Sequence, residues 1–231
     1  MVYGLGNRGA VLLQQRLSIP RPRTDWTTKN RSVKPVFLRH ALAVAEVLVR
    51  LECACRNNPL VRFVAPKEIA RQRQSSTLGT QFQWHVTVRL AGFSESLGVI
   101  PDAVFALKYR ARPPNRDATF FFLEADRGTM PVQRRNLQGT SFFQKMLAYY
   151  ETWRQELHTK IFTASRFRVL TVTNTPERAQ NIIVANRAFN DGKGSGLFLV
   201  TDVTALSAHE DILSLPLASG RNGELVNLAD S

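Results

Sequence analysis

Residues 99–128 read VIPDAVFALKYR-ARPPNRD-ATFFFLEADRG, two β-type runs on either side of a turn-rich segment. Both runs are rich in branched and aromatic residues, and Pro-Pro-Asn is typical of a turn, so this part of the chain predicts a β-hairpin. If the turn is centred near Pro114, Asp102 lies opposite Asp126, and Glu124 lies on the same face two residues away. Moving the turn by one residue breaks this pairing.

These three carboxylates are the candidate site. Carboxylates this close raise one another's pKa unless a positive group lies among them. A divalent cation is one solution, and a cluster of oxygen ligands favours magnesium, manganese or calcium. Glu46 is a candidate fourth ligand, because it interrupts an apolar helix in which a lone carboxylate is expensive. The alternative is a structural network in which the acids pair with Arg127, Lys108 or the basic arm.

The elements around the hairpin alternate between helix and strand. Residues 36–55 predict a helix that is apolar on nearly every face and therefore buried on more than one side. Thr175 as N-cap and Pro176 at the first position mark the start of another helix. The other predicted elements are strands over 60–66, 81–90, 166–174 and 196–203 and an amphipathic helix over 141–158. This order predicts an α/β fold with a mixed sheet flanked by helices.

The net charge of +13 is concentrated at one end of the chain. Residues 1–74 contain 14 Lys and Arg against 4 Asp and Glu, whereas residues 75–231 contain 17 against 14. Such a basic segment favours a polyanionic partner, and DNA is the leading candidate. The alternative is a basic arm that only keeps the protein in solution.

Other features exclude several classes of protein. Cys53 and Cys55 lie in an apolar stretch with no second pair, which argues against a disulfide scaffold or a zinc site. No apolar run approaches the roughly 20 residues of a membrane helix, and the Met1 end is unlike a secretory signal. We therefore expect a soluble cytoplasmic protein without a membrane partner.

The acidic hairpin resembles the PD-(D/E)XK nuclease superfamily. The resemblance rests on Pro101-Asp102, followed after about twenty residues by Glu124-Ala125-Asp126 at the end of an apolar strand. It implies a core of helix, three strands, helix and strand, beginning at residue 36. It also implies that Asp102, Glu124 and Glu46 bind Mg²⁺ (or Mn²⁺), while a lysine positions or activates the attacking water.

A closer resemblance is to the replication-relaxation family, whose members are encoded on plasmids and integrative elements. FLRHALAVAEVLVRL (37–51), PDAVF (101–105), FFLEADRGTMP (121–131) and KMLAYY (145–150) carry it. The family usually has an N-terminal winged helix, and VYGLGNRGAVLL (2–13) is similar to its wing strand and closing helix. The recognition helix that should precede the wing is missing from this chain, so we expect only a winged-helix remnant.

The chain departs from the nuclease motif at the lysine, because Asp126 stands at that position. An acid there adds a potential metal ligand but no positive charge. Lys145 on the following helix is the best substitute, with Tyr149 one turn further along the same face. We therefore take Asp102, Glu124, Asp126 and Lys145 as the candidate catalytic residues.

The resemblance and the charge together predict three regions. Residues 1–35 form a basic arm with the winged-helix remnant, 36–205 the PD-(D/E)XK-like core, and 206–231 a peripheral tail. The expected DNA-phosphate contacts are Arg21, Arg23, Lys29, Arg31, Lys34, Arg134 and Arg135. Tyr150 and Trp153 lie at helical spacing typical of core residues, although either could stack on a base.

Two functions stay open from the sequence, with a third as a variant of the first. The first is a DNA-processing protein of a mobile element that hydrolyses phosphodiesters with a metal ion. The second is an inactive accessory protein that binds DNA, a relaxase or replication proteins in plasmid replication or mobilisation. The third is a toxin-like or defence nuclease built on the same core. The sequence does not determine the oligomeric state.

Overall fold

The computed structural model describes residues 6–17, 35–72, 82–90, 93–114, 116–133, 141–162 and 164–230. The chain forms two compact units, Met1–Ala43 and Val44–Ser231. The first unit contains helix α1 (Asn7–Leu17) and the start of helix α2 (Pro35–Asn57). The division therefore lies within α2, whereas the sequence suggested a boundary at its start. All seven predicted DNA-phosphate contacts lie outside the described residues.

The second unit is built on a mixed sheet, as the sequence predicted; it has seven strands in the order β1-β4-β5-β6-β7-β8-β9. Strand β5 pairs with β6 and β6 with β7 in parallel, and the other neighbours are antiparallel. The strands are β1 (Val61–Val64), β4 (Ala103–Tyr109), β5 (Ala118–Asp126), β6 (Phe167–Thr173), β7 (Phe198–Asp202), β8 (Leu217–Ser219) and β9 (Leu225–Val226). Strands β2 (Trp84–Leu90) and β3 (Phe93–Val99) form a separate antiparallel sheet.

Helices flank the large sheet, and two of them begin with well-defined N-caps. They are α3 (Pro66–Gln72), α4 (Phe142–Arg154), α5 (Leu157–Phe162), α6 (Pro176–Asn186) and α7 (Val203–Ala208). A capping box of Ser141 and Gln144 starts α4. Thr175 caps α6, with Pro176 in its first turn, as predicted. Among the described residues, no helix is long and apolar enough to cross a membrane.

Side chains that alternate along β4 and β5 divide the interior into two cores. Val104 and Phe122 belong to the core that includes residues of α4, α6 and the β2–β3 sheet. Phe105 and Phe121 belong to the core that includes residues of α2 and the C-terminal segment. Because apolar residues occupy both faces of the central strands, the strands are buried on both sides.

Helix α2 is buried on one side only, so the expectation of burial on several faces is wrong. Val47, Leu51 and Cys55 recur every four residues and are buried, while Val49 on the same helix is exposed. The helix lies against one face of the sheet, and a single contact surface covers only one stripe of a helix.

Strand β3 is one of the elements that the sequence did not predict. Its central residues Ser94, Glu95 and Ser96 are polar and exposed, so the run lacks the apolar character by which the other strands are recognised. The strand exists because β2 offers it a partner, with Trp84 opposite Val99. Val99 therefore ends β3, and β4 begins only at Ala103, after Pro101.

The prediction of a peripheral tail over 206–231 is wrong. Strand β8 extends the sheet beside β7, and β9 pairs with β8. Leu213, Leu215, Leu217 and Leu228 are buried in the same core as α2. The tail is needed because β6 and β7 carry apolar residues on this face of the sheet, and these leucines help cover them.

Candidate functional site

The register of the β4–β5 hairpin determines which carboxylates meet. Lys108 pairs with Ala118 and Ala103 with Leu123, so the turn is centred on residue 113. The pairing ends at Ala103 and Leu123, and the amide of Asp102 donates to the carbonyl of Leu123, so the predicted pairing of Asp102 with Asp126 is wrong. The three acids nevertheless lie near one another, because Asp102 raises the pKa of Glu124, and Asp102 and Asp126 both raise the pKa of Lys145.

Asp102 is tied to the backbone of β5. Its amide donates a hydrogen bond to the carbonyl of Leu123 at 3.0 Å. Its Oδ2 accepts a hydrogen bond from the amide of Ala125 at 2.8 Å. This carboxylate therefore extends the hairpin ladder by one step beyond the start of β4.

Glu124 is almost completely buried, with 2% of its side chain exposed, and two residues of α4 contact it. The ammonium of Lys145 forms an ion pair and hydrogen bond with Oε2. The hydroxyl of Tyr149 donates to Oε1 at 2.5 Å. Lys145 and Tyr149 are one helical turn apart, so the helix presents both to the same carboxylate, as their spacing suggested.

The electrostatics of this trio are set by burial. Burial raises the pKa of Glu124 to about 7, an effect that Lys145 opposes and the nearby Asp102 reinforces. Burial alone would lower the pKa of Lys145, but Glu124, Asp102 and Asp126 outweigh it and raise the pKa. Burial, followed by the charge of Glu124, raises the pKa of Tyr149. Lys145 therefore stays cationic, and Tyr149 stays a hydrogen-bond donor.

Asp126, at the end of β5, is bound by Arg178. The guanidinium Nε donates to Oδ2 at 2.6 Å and Nη2 donates to Oδ1 at 3.1 Å. Nη2 also donates to the carbonyl of Met130 at 2.6 Å. Only 6% of the Asp126 side chain and 15% of the Arg178 side chain are exposed. This is a largely buried bidentate ion pair.

Sequence reasoning missed Arg178, although the chain carried a signal for it. Strands β5 and β6 are parallel, with Asp126 beside Thr173, so the loop into α6 leaves the sheet beside the end of β5. Arg178 lies in the first turn of α6, close behind that loop. The predicted helix start at Thr175 marked this place, but the parallel pairing of the two strands was unknown.

Glu46 is not brought together with the other acids. It lies on α2, which packs on the opposite face of the sheet from Lys145 and Tyr149. Its Oε1 accepts a hydrogen bond from Arg50 at 3.2 Å, and 52% of its side chain is exposed. Because this carboxylate faces solvent, it needs no metal ion to compensate for burial.

The arrangement fits ion pairs better than a metal centre. Both oxygens of Glu124 accept hydrogen bonds from α4, and both oxygens of Asp126 accept from Arg178. Within the described ranges, no three His, Cys, Asp or Glu residues form a group suited to a metal ion. The residues as arranged therefore do not fit a magnesium ion held by Asp102, Glu124, Asp126 and Glu46.

Comparisons with known proteins gave one match. The model of the family described as replication-relaxation matches residues 1–164, from the N-terminal unit through helices α4 and α5. The matched range includes Asp102, Glu124, Asp126 and Lys145, while Arg178 lies beyond it. No curated protein and no solved structure shows significant similarity to the chain.

Proposed function

Since the chain belongs to the replication-relaxation family, we propose that it binds DNA as an accessory protein in the replication or mobilisation of a plasmid or another mobile element. The family indicates the replication-related setting. DNA binding, and contact with a relaxase or replication proteins in the cytoplasm, are our additions to it.

The charge distribution is the observation that carries DNA binding. Residues 1–74 hold a net +10 of the total +13. Lys and Arg that neutralise phosphates release condensed counterions, which supplies most of the affinity of sequence-independent DNA binding. We assign the main phosphate contacts to the basic arm over 1–35. Helix α1 lies at the position expected for the closing helix of a winged-helix remnant, which supports this assignment.

The order of the elements supports a nuclease-like core for the second unit. Helix α2, strands β1, β4 and β5, helix α4 and strand β6 follow one another as in the PD-(D/E)XK pattern. The β2–β3 sheet and α3 are inserted between β1 and β4. In this interpretation the core provides a surface that binds DNA. We call the cluster of Asp102, Glu124 and Asp126 the acidic face, and cations of the same chain pair with Glu124 and Asp126.

The neutralised acidic face favours an accessory role over catalysis. Lys145 pairs with Glu124 and Arg178 with Asp126, so the charges balance without an added cation. One observation favours the second candidate, metal-dependent hydrolysis of DNA. The ammonium of Lys145 contacts Glu124. Lys145 thus supplies the positive charge that the motif lacks because Asp126 stands at its lysine position.

DNA binding is tested with labelled duplex and single-stranded DNA at several salt concentrations. We expect the logarithm of the binding constant to fall linearly with the logarithm of salt concentration. Replacing Arg21, Arg23, Lys29, Arg31 and Lys34 together by Gln should weaken binding and flatten this slope. The matched control exchanges Arg for Lys and Lys for Arg at these positions, which keeps the charge and should keep the slope. Equal slopes for the parent and the Gln variant would contradict the proposal.

Catalysis is tested on plasmid DNA with magnesium and with manganese. The accessory role predicts no cleavage by the parent protein with either ion. Cleavage that is lost in both Glu124→Ala and Lys145→Ala would reject the accessory role and establish the hydrolase. Cleavage that survives in Lys145→Ala but not in Glu124→Ala would instead place the chemistry at Glu124 without a substitute lysine.

A further inference from the structure

A polar groove lies at the end of the large sheet opposite the acidic face. It has a volume of about 550 Å³, and its lining includes Arg166, Arg168, Arg221, Tyr150 and Trp153. We call it the arginine groove. The parallel pairing runs from Phe120 beside Phe167 to Asp126 beside Thr173, so about 20 Å of strand separate the groove from the acidic face.

Among the residues that the structure describes, the arginines of the groove have no acidic partners. Arg168 is half-buried, and burial lowers the pKa of its guanidinium, with Arg166 and Arg112 adding like-charge repulsion. Arg166 donates to Thr119 Oγ1 at 3.4 Å, a neutral acceptor. In the part of the chain that the structure describes, neither Arg168 nor Arg221 forms an ion pair. Clustered guanidinium groups without a counter-charge are suited to an anionic ligand, above all a phosphate.

The lining of the same groove also includes aromatic side chains. Trp153, in the last turn of α4, has 48% of its surface exposed, which is unusual for so large an apolar residue. Tyr150 lies beside it, with 5.6 Å between the ring centroids, and itself stacks on Phe189 at 4.7 Å. Trp153 is therefore backed by a fixed aromatic stack and offers an indole to a planar ligand.

The remaining wall of the groove is preformed. Asn186 Oδ1 accepts a hydrogen bond from the amide of Ser195 at 2.6 Å, which holds the loop before β7. His158 also lines the groove and is itself buried. This wall is therefore held in place before any ligand binds.

We infer that the arginine groove binds a deoxynucleotide unit, with its phosphate on Arg166, Arg168 and Arg221 and its base stacked on Trp153. The ligand is either a free nucleotide or one nucleotide of a DNA strand, since both present the same chemistry. The choice of a deoxynucleotide rests on the proposed function, whereas the phosphate and base contacts rest on the groove itself.

The test uses the full chain and the fluorescence of Trp153. Of the three tryptophans, Trp84 is buried and Trp26 lies outside the described residues, so Trp153→Phe identifies the signal of residue 153. Thymidine monophosphate should quench this signal, and thymidine or inorganic phosphate alone should do so more weakly. Arg166→Gln and Arg221→Gln should each weaken nucleotide binding about tenfold. Trp153→Leu should weaken binding of a labelled short oligothymidylate by roughly tenfold.

Arg71→Gln is the control, because it removes the same charge from an exposed residue that does not line the groove. If oligothymidylate reduces the quenching by thymidine monophosphate, the groove holds a DNA strand. Quenching by oligothymidylate alone supports the same conclusion. Quenching that oligothymidylate does not affect supports a free nucleotide. If neither probe quenches Trp153, or if the groove variants bind like Arg71→Gln, the inference is overturned. Salt-dependent DNA binding by the parent would in that case leave the proposed function standing.

Discussion

Arg178 holds the carboxylate of Asp126 with two hydrogen bonds, at 2.6 and 3.1 Å, and both side chains are largely buried. The pair joins the end of β5 to the first turn of α6. It also means that Asp126, one of the three acids of the hairpin, is neutralised by a cation from a distant part of the chain. The acidic face is therefore a set of paired charges.

Replacing Asp126 by Asn should lower the free energy of unfolding by about 3–5 kcal/mol, because it leaves the Arg178 guanidinium buried without a counter-charge. Denaturant titration measures this change. The control is Asp117→Asn in the hairpin turn, which breaks a more exposed ion pair with Lys108 (3.4 Å) and should change stability by less than about 1 kcal/mol. A neutral or stabilising effect of Asp126→Asn would instead indicate repulsion among the three acids.

The stability of the protein should depend on pH through Glu124. Burial raises its pKa from the usual 4.5 to about 7 in the folded chain. Between these values the folded state binds more protons than the unfolded state, so the free energy of unfolding falls as pH rises and levels off above about 7. Glu124→Gln cannot titrate and should lack this contribution. Melting temperatures of the two proteins across this range measure it, and parallel curves would contradict it.

Two glycines of the loop before β7 should respond differently to alanine. Gly192 and Gly194 both have positive φ, +85° and +70°. A Cβ at Gly192 meets nothing within 4 Å, so Gly192→Ala should cost only the backbone strain, about 1–2 kcal/mol. A Cβ at Gly194 would clash with the carbonyl of Gly220, so Gly194→Ala should cost about 3 kcal/mol or more. Thermal unfolding compares the two variants, and equal losses would argue against the close approach to Gly220.

The β2–β3 sheet should depend on one buried hydrogen bond to α4. Trp84 Nε1 donates to Thr152 Oγ1 at 2.9 Å. Thr152→Val removes the acceptor while keeping the shape, so it should cost about 1–3 kcal/mol. Thr152→Ser retains the hydroxyl and should cost less. A larger loss in the Ser variant than in the Val variant would show that packing, and not the hydrogen bond, dominates at this position.

Local sequence was enough to predict most of the central elements and part of the site. The cap at Thr175 and apolar runs such as FFFLEAD depend on only a few neighbouring residues, so the sequence alone predicts them. The same holds for Lys145 and Tyr149, because the pitch of one helix sets their spacing. Both side chains contact Glu124 because α4 packs against β5.

Contacts between distant segments were decided only by the tertiary structure. Asp102 does not pair with Asp126 because the hairpin turn is centred one residue earlier than expected, a choice that the β runs themselves leave open. Arg178 reaches Asp126 because β5 and β6 pair in parallel, which brings residues 52 positions apart to the same sheet edge. The C-terminal leucines are buried because they cover the apolar face of the sheet on which α2 packs. That face forms only when distant strands pair, so the sequence does not show it. The sequence by itself thus determined most of the central elements and the residues able to carry charge, while packing determined the remaining strands and which charges became partners.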